Sequence, residues 1–168
     1  MINHWGHFLI EAVCRLWYFL EKDPTIDKYI FFLDEHEERE IKGNYREFLQ
    51  LLGIWDKLEF ISKPITFREV LVPELSLRTH TYYCPKYREM FDIIAENVNP
   101  DPSWETPEKI YYSRGQFAKG IPFEFGYDML DSFFAQNGYT VLYPEKVPLR
   151  QMIHYIRNSK VVASLSGS

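Results

Sequence analysis

The chain has 168 residues and a mass of 20.2 kDa, enough for one substantial domain or two small ones. Hydrophobic residues make up 46% and aromatic residues 17% of it, a composition too apolar for a disordered protein. Its formal net charge is -5, and no block of Lys or Arg runs along it, which argues against a nucleic-acid-binding surface.

The two cysteines, Cys14 and Cys84, lie far apart and lack metal-ligand spacing. This pattern fits a protein of a reducing compartment, and it is also compatible with one disulfide between the two cysteines. No apolar run approaches the ~20 residues of a membrane span. The N-terminus also lacks the pattern of a signal peptide. We therefore expect a soluble, cytoplasmic protein without a membrane span.

Apolar residues at helical spacing predict a first helix over residues 4–22, which Asp23-Pro24 ends. A short apolar and aromatic run over 28–34 predicts a buried strand. The remaining elements of the first half are predicted as a helix over 44–52 with Asn44 as N-cap and Gly53 as its stop, strands over 58–62 and 65–72, and a helix over 85–98.

Three prolines within residues 99–107 indicate a linker, and the second half then shows a clear order. It is predicted as strand 109–113, helix 124–136, strand 139–143, helix 148–158 and strand 160–165. This alternation predicts parallel pairing through right-handed crossovers, and so an α/β sheet of Rossmann type. The first half is expected to be similar but less regular. The last strand runs into Ser166, Gly167 and Ser168, where a helix normally follows, so we expect a truncated chain.

Polar residues form a stripe on the first helix. His7, Glu11 and Arg15 are four residues apart and therefore share one face. A solvated stripe with an ordinary Glu11–Arg15 surface pair explains this spacing, whereas a metal site lacks a third ligand. A functional interpretation rests on position, because the start of a helix favours anions.

Two loops of the second half carry candidate ligand-binding residues. Arg114 ends a predicted strand, and Lys119 follows in a glycine-bounded loop; their cations suit a phosphate, although they could equally be solvated. Glu145 lies between a strand and a helix, where it could accept hydrogen bonds from ribose, orient a basic neighbour or cap the helix. Neither loop carries a phosphate-binding glycine fingerprint.

A third group of charges, residues 34–38, superficially resembles an acidic metal cluster. A charged stretch that directly follows a strand is usually a solvated loop. We therefore expect no metal site there.

Together these segments resemble glycosyltransferase family 61, in particular its bacterial capsular-polysaccharide branch. Order and spacing agree over nearly the whole chain, and the middle agrees mainly in pattern. The matching motifs, in chain order, are Asn3-x-x-Gly6-His7-Phe8-Leu9-Ile10-Glu11, Tyr112-Ser113-Arg114, Asn137-Gly138-Tyr139, Pro144-Glu145-Lys146, Gln151, and Val161-Val162-Ala163 leading to Ser166-Gly167-Ser168.

The resemblance implies an α/β fold of two Rossmann-like halves of the GT-B type, with an incomplete C-terminal half. Residues 1–98 would form the N-terminal, acceptor-side domain, 99–107 the linker, and 108–168 the nucleotide-sugar-binding domain. The nucleotide-sugar would sit in the cleft, held mostly by the C-terminal domain. The implied activity is inverting, metal-independent transfer from a nucleotide-sugar to a glycan or lipid-linked glycan acceptor, in capsular or surface polysaccharide synthesis. No cofactor beyond the nucleotide-sugar co-substrate is implied.

The family's site residues carry over by position. Arg114 and Lys119 would bind the donor diphosphate, while Glu145 and the turn Ser166, Gly167 and Ser168 would lie against the nucleotide. His7 and Glu11 would face the acceptor, with His7 the preferred base and Glu11 acting in its place or orienting it. We expect the enzyme in the cytoplasm or peripheral to the inner face of the membrane.

The chain departs from the family's pattern at three places. Phe123-Glu124 stands where the family often has Asn-Glu, Ser166 stands where it commonly has histidine, and the elements beyond the last turn are missing. These departures leave a second interpretation open, a non-catalytic α/β module that binds nucleotide or a protein. A dinucleotide-binding oxidoreductase is disfavoured because its glycine fingerprint is missing.

Overall fold

The computed structural model describes residues 4–32, 41–116 and 126–165. The chain divides into two compact units, Met1–Asn97 and Val98–Ser168. The α-helices of the first unit are α1 (Trp5–His7), α2 (Gly43–Leu51) and α3 (Pro85–Glu96), and a short 3-10 helix covers Trp55–Lys57. Its strands are β1 (Tyr29–Phe32), β2 (Leu58–Ile61), β3 (Leu77–Arg78) and β4 (Tyr82–Tyr83). Those of the second unit are β5 (Lys109–Tyr112), α4 (Tyr127–Gln136), β6 (Thr140–Leu142), α5 (Leu149–Asn158) and β7 (Val161–Ser164).

The predicted first helix is present, but it is not a regular α-helix. After α1 the chain continues as a π-helix over Phe8–Ala12 and a 3-10 helix over Val13–Glu21, and it ends where Lys22 adopts a left-handed conformation. We call residues 5–21 the N-terminal helical run. Its apolar face supplies the buried side chains Phe8, Val13, Cys14 and Leu16.

Aromatic side chains form much of the core of the first unit. Phe8 is fully buried, and its ring lies 5.4 Å from Phe48 and 5.1 Å from Tyr45, both on α2. Met90 and Ile94 of α3 are buried in the same unit. The N-terminal helical run is therefore anchored along its apolar side, which leaves its polar stripe facing outward.

The strands of the first unit correct several predictions. β1 and β2 pair in parallel, but Phe32 is 70% exposed, so the strand predicted as buried is buried only in part. No strand forms over 65–72, a described segment whose Ile65, Val70, Leu71 and Val72 side chains are exposed; its apolar residues find no neighbouring strand to pair with. A short antiparallel hairpin of β3 and β4 forms instead, and the sequence pattern did not predict it.

The limits of α2 also differ in one detail. Lys42 occupies the N-cap position and Asn44 lies inside the helix, so the predicted cap is wrong. Gly53 follows the helix with a φ of +79°, a conformation that glycine adopts without the steric penalty of a side chain. The predicted stop is therefore confirmed.

The second unit contains a three-stranded parallel sheet in the order β6-β5-β7. Tyr112 at the end of β5 lies opposite Leu142 of β6 and opposite Ser164 of β7. All three strands therefore end at one edge, which we call the carboxyl edge. The predicted alternation of strands and helices and the parallel pairing are confirmed in this unit.

The two helices of this unit cover opposite faces of the sheet. Because strand side chains alternate, Ile110 and Tyr112 point to one face, where they form a buried cluster with Tyr155 of α5. Tyr111 points to the other face and stacks on Phe134 of α4, with 3.8 Å between ring centroids. Residues 99–107 contain neither helix nor strand, and Trp104 within them packs against the α5 cluster.

Candidate functional site

The His7–Glu11 pair is formed in the structure. Nδ1 of His7 lies 2.5 Å from Oε1 of Glu11, one turn further along the N-terminal helical run. Both side chains are mostly exposed, at 59% and 66%. Arg15, the third member of the predicted stripe, hydrogen-bonds instead to the backbone carbonyl of Pro73. The polar contact on this face is therefore His7–Glu11 rather than the ordinary Glu11–Arg15 surface pair.

The hydrogen bond favours one tautomer of His7. A glutamate carboxylate only accepts, so Nδ1 carries the hydrogen and Nε2 keeps a free lone pair in the neutral ring. This arrangement of a carboxylate behind an imidazole suits a general base. His4 lies beside it, with its ring 5.1 Å from that of His7 in an edge-on arrangement.

Glu11 lies within the π-helical turn, and groups from elsewhere in the unit bond to the carbonyls around it. The hydroxyl of Tyr87 on α3 donates to the carbonyl of Leu9 at 3.2 Å. The backbone N–H and the hydroxyl of buried Ser76 both donate to the carbonyl of Cys14, at 2.8 and 2.7 Å. These bonds occupy backbone acceptors of the N-terminal helical run and stabilise its irregular turns. π-Turns within helices are frequent at functional sites.

Burial of the Tyr87 ring raises the pKa of its phenol to about 12. The group is therefore neutral at physiological pH and keeps the proton that it donates to the Leu9 carbonyl. The phenol thus remains a hydrogen-bond donor to the Leu9 carbonyl around neutral pH.

In the second unit, the loops that follow β5 and β6 both lie at the carboxyl edge. Ser113 directly follows β5, is fully buried, and continues the strand pairing through its backbone N–H to the Leu142 carbonyl at 2.8 Å. Its hydroxyl accepts a hydrogen bond from the Gly115 N–H at 3.0 Å. The chain thus turns sharply at the end of β5, where Arg114 follows Ser113.

The second loop begins at the end of β6. Residues Pro144–Lys146 form a single 3-10 turn, in which Glu145 is exposed. The ammonium of Lys146 hydrogen-bonds to the side-chain carbonyl of Gln116, so it ties the second loop to the loop that carries Arg114. Arg114 itself is half-buried. The structure therefore brings Arg114 and Glu145 to one edge and adds Lys146, which the sequence reasoning did not select.

The model of the family described as Glycosyltransferase 61 matches residues 5–168, almost the entire chain. The chain belongs to glycosyltransferase family 61. No curated protein and no solved structure matches it. Membership makes it a glycosyltransferase, an enzyme with a sugar donor and an acceptor as substrates. The mixed helix and strand content agrees with the α/β class that the sequence predicted.

Several predicted site residues of this glycosyltransferase lie outside the described residues: Lys119, Ser166, Gly167 and Ser168, together with the acidic stretch 34–38 and the departing pair at 123–124. Within the described ranges, no three His, Cys, Asp or Glu side chains lie close enough together to hold a metal ion. Cys14 and Cys84 are both free thiols. No described helix is long and apolar enough to cross a membrane.

Asp131 is the polar residue near the carboxyl edge that sequence reasoning missed altogether. One oxygen of its carboxylate accepts a hydrogen bond from the Tyr143 hydroxyl at 3.0 Å. That bond, together with burial, raises the pKa of Tyr143. A Cβ atom built on Gly115 would lie only 3.3 Å from the same oxygen. The only available signal was an acidic residue among the apolar residues of a helix, which usually marks a solvated face.

Proposed function

We propose that the enzyme transfers a sugar from a nucleotide-sugar to a hydroxyl of a glycan or lipid-linked glycan acceptor. The observation that carries this proposal is the grouping of Arg114, Lys146 and Glu145 at the carboxyl edge of a parallel sheet. Ligands of open α/β sheets bind at this edge. Two cations there suit a diphosphate, and a carboxylate suits the hydroxyls of a ribose.

The leaving group of such a transfer is the nucleoside diphosphate. As the bond between the anomeric carbon and the diphosphate oxygen breaks, the electron pair stays on the oxygen and its negative charge grows. Arg114 can hold this group with two parallel hydrogen bonds, and Lys146 adds a point charge beside it. Stabilising charge that develops in the transition state is usually the largest catalytic term.

The acceptor hydroxyl must lose its proton as its oxygen attacks the anomeric carbon. We assign this proton to Nε2 of His7, whose Nδ1–H is held by Glu11 at 2.5 Å. In this role Glu11 orients the ring and stabilises the imidazolium that forms. Direct attack in one displacement inverts the configuration at the anomeric carbon.

Arg114 and Lys146 can take over the charge neutralisation that a divalent cation supplies elsewhere, so we propose metal-independent transfer. The motifs that resemble the capsular-polysaccharide branch support a role in surface polysaccharide synthesis, in the cytoplasm or at the inner face of the membrane. An acceptor carried on a lipid would be reached from there.

Calorimetry against UDP, GDP, UDP-glucose and GDP-mannose tests the donor half of the proposal. At least one of the four should bind, and the matching nucleotide-sugar should release its diphosphate faster when acceptor glycans are added. Binding without release under any acceptor would favour the non-catalytic α/β module. No binding to any of the four would contradict the proposed donor site.

A further inference from the structure

Four polar side chains join the two loops of the carboxyl edge to α4. The ammonium of Lys146 donates to the side-chain oxygen of Gln116, on the loop that follows β5. The Gln116 side chain also hydrogen-bonds to the hydroxyl of Tyr143. That hydroxyl in turn donates to Oδ2 of Asp131 on α4, at 3.0 Å. We call these four side chains the edge network.

The two ends of the edge network fix the direction of every hydrogen bond in it. An ammonium only donates, so the Gln116 oxygen faces Lys146 and its NH₂ group serves the Tyr143 oxygen. The bond to Asp131 is the main cause that raises the pKa of Tyr143, so the phenol keeps the proton that it donates. The bond from Gln116 acts on this pKa in the opposite direction, as a bond donated to the phenol oxygen does. One arrangement of donors and acceptors therefore satisfies all three bonds.

Lys146 makes a second contact with the same network. Its ammonium lies over the Tyr143 ring, 5.4 Å from the ring centroid, where the negative face of the ring attracts a cation. Tyr143 thus contacts the ammonium with its ring and holds it through Gln116 with its hydroxyl. Lys146 is exposed, and a free lysine side chain samples many rotamers. A side chain that is fixed before its ligand arrives loses less conformational entropy on binding.

The network holds the ammonium without neutralising it. Gln116 accepts only one of the three ammonium hydrogens, so the group can bind a phosphate oxygen without leaving the network. A carboxylate at position 116 would also hold the ammonium, but its charge would repel a phosphate. The one anion of the network, Asp131, instead contacts the far side of the Tyr143 hydroxyl. An uncharged amide beside the lysine is the arrangement that suits an anionic ligand.

We propose that Gln116 and Tyr143 are positioning residues, which hold the ammonium of Lys146 in place for the diphosphate of the donor. Asp131 anchors the network on α4. The inference rests on the proposed function and deepens it, because it identifies the groups that orient one of the two cations assigned to the leaving group.

The test measures affinities for UDP, GDP and inorganic pyrophosphate by calorimetry. Tyr143→Phe keeps the ring under the ammonium and removes the hydroxyl, so it should weaken the diphosphate that binds by about 3–10-fold. Gln116→Ala, on an exposed loop position, should do the same. Gln116→Glu should weaken binding at least as much, although it can still hold the lysine.

A double-mutant cycle separates positioning from a merely structural role. In a Lys146→Met background, Tyr143→Phe and Gln116→Ala should cause no further loss of affinity, because the group that they position is gone. A residue that only stabilises the loops would weaken binding equally in both backgrounds. Tyr139→Phe is the matched control, since it removes a hydroxyl at the opposite end of β6, where the ammonium of Lys109 lies 5.5 Å from the ring centroid. It should leave all affinities unchanged.

The outcomes distinguish this inference from the proposed function. Wild-type affinity in both Tyr143→Phe and Gln116→Ala, or equal losses with and without Lys146, overturns the positioning role and leaves the donor site intact. Wild-type affinity in Lys146→Met overturns it as well. If Tyr143→Phe does not fold, Gln116→Ala decides by the same criteria. A wild-type protein that binds none of the three probes overturns the proposed donor site, and the positioning role with it.

Discussion

The two candidate sites are built in different ways. In the second unit, parallel strand pairing brings Tyr112, Leu142 and Ser164 into line, and the loops that follow meet at one edge. In the first unit, His7 and Glu11 lie on an irregular helix whose carbonyls bond to Ser76 and Tyr87, 62 and 78 positions away from their partners along the chain. A sheet edge positions its ligand groups through regular backbone pairing, whereas an irregular helix needs individual side chains to do so.

The largest expected effect lies in the first unit. His7→Ala should lower kcat by about 10²–10⁴-fold, the usual contribution of general base catalysis, because it removes Nε2, to which we assign the acceptor proton. Glu11→Gln should lower it less, since the imidazole remains and loses only its orienting charge. Rates of diphosphate release with donor and acceptor present give these values.

His4→Ala is the control for this pair, because its ring lies beside His7 and takes no part in the bond to Glu11. It should leave kcat near the wild-type value. Normal transfer by both His7→Ala and Glu11→Ala would show that the pair is only structural.

The next effect concerns the carboxyl edge. Arg114→Ala should weaken binding of a nucleoside diphosphate by about 10–100-fold, the value of hydrogen bonds to a charged partner. The affinity of Arg114→Lys should lie between those of the wild-type protein and Arg114→Ala, because lysine keeps the charge and loses the planar fork. Lys160→Ala tests the opposite end of the same sheet, where the exposed ammonium pairs with Glu108 at 3.1 Å. It should leave affinity unchanged, and unchanged affinity in Arg114→Ala would make the donor assignment wrong.

A smaller effect tests how tightly the edge is packed. Gly115→Ala places a methyl group 3.2 Å from both Ser113 Oγ and Tyr127 Cβ, closer than ordinary contacts. We expect unfolding free energy to fall by about 1–3 kcal/mol, as for other overpacked sites, and diphosphate affinity to fall with it. Gly138→Ala on the loop before β6 meets no such neighbour and serves as the comparison, although its φ of +78° carries a strain of its own. Urea unfolding would measure the stability of both variants. A loss of stability with unchanged diphosphate affinity would show that Gly115 matters for packing and not for binding.

The smallest effect concerns the tie to the irregular helix. The pKa of Tyr87 is raised to about 12 in the fold from 10.0, so its neutral form is stabilised. This contribution is complete below pH ~10 and is lost as the pH rises towards ~12. Between pH ~10 and ~12 the unfolding free energy of the wild-type protein should therefore fall by about 1 kcal/mol more than that of Tyr87→Phe. The figure is discounted for the half-buried position of this ring. Parallel curves for the two proteins would contradict the assignment.

The regular parts of the fold were predictable from local patterns. The alternation after residue 108 gave β5, α4, β6, α5 and β7 with boundaries within a few residues, because hydrophobic periodicity and turn residues agree there. The positions of Arg114 and Glu145 at the carboxyl edge were predictable for the same reason, since each follows a strand. The strand predicted over 65–72 failed because apolar residues alone do not supply a partner strand.

The remaining features depend on contacts that no short window contains. The π-helical turn at Phe8–Ala12 accompanies bonds from α3 and from Ser76 to neighbouring carbonyls, which spacing within residues 4–22 cannot show. The hydrogen bond from Tyr143 to Asp131 joins two separate elements, so the pattern within α4 does not show it. Lys146 likewise bonds to Gln116 of another loop, a contact that its own segment cannot show.

The most direct measurement of the central claim is a map of backbone amide chemical shifts on titration with the nucleoside diphosphate that binds. The largest changes are expected over residues 113–116 and 143–146, the loops that follow β5 and β6. Residues 5–21 should change when an acceptor glycan is added. Changes centred on the opposite edge of the sheet, near residues 108 and 160, would contradict the account.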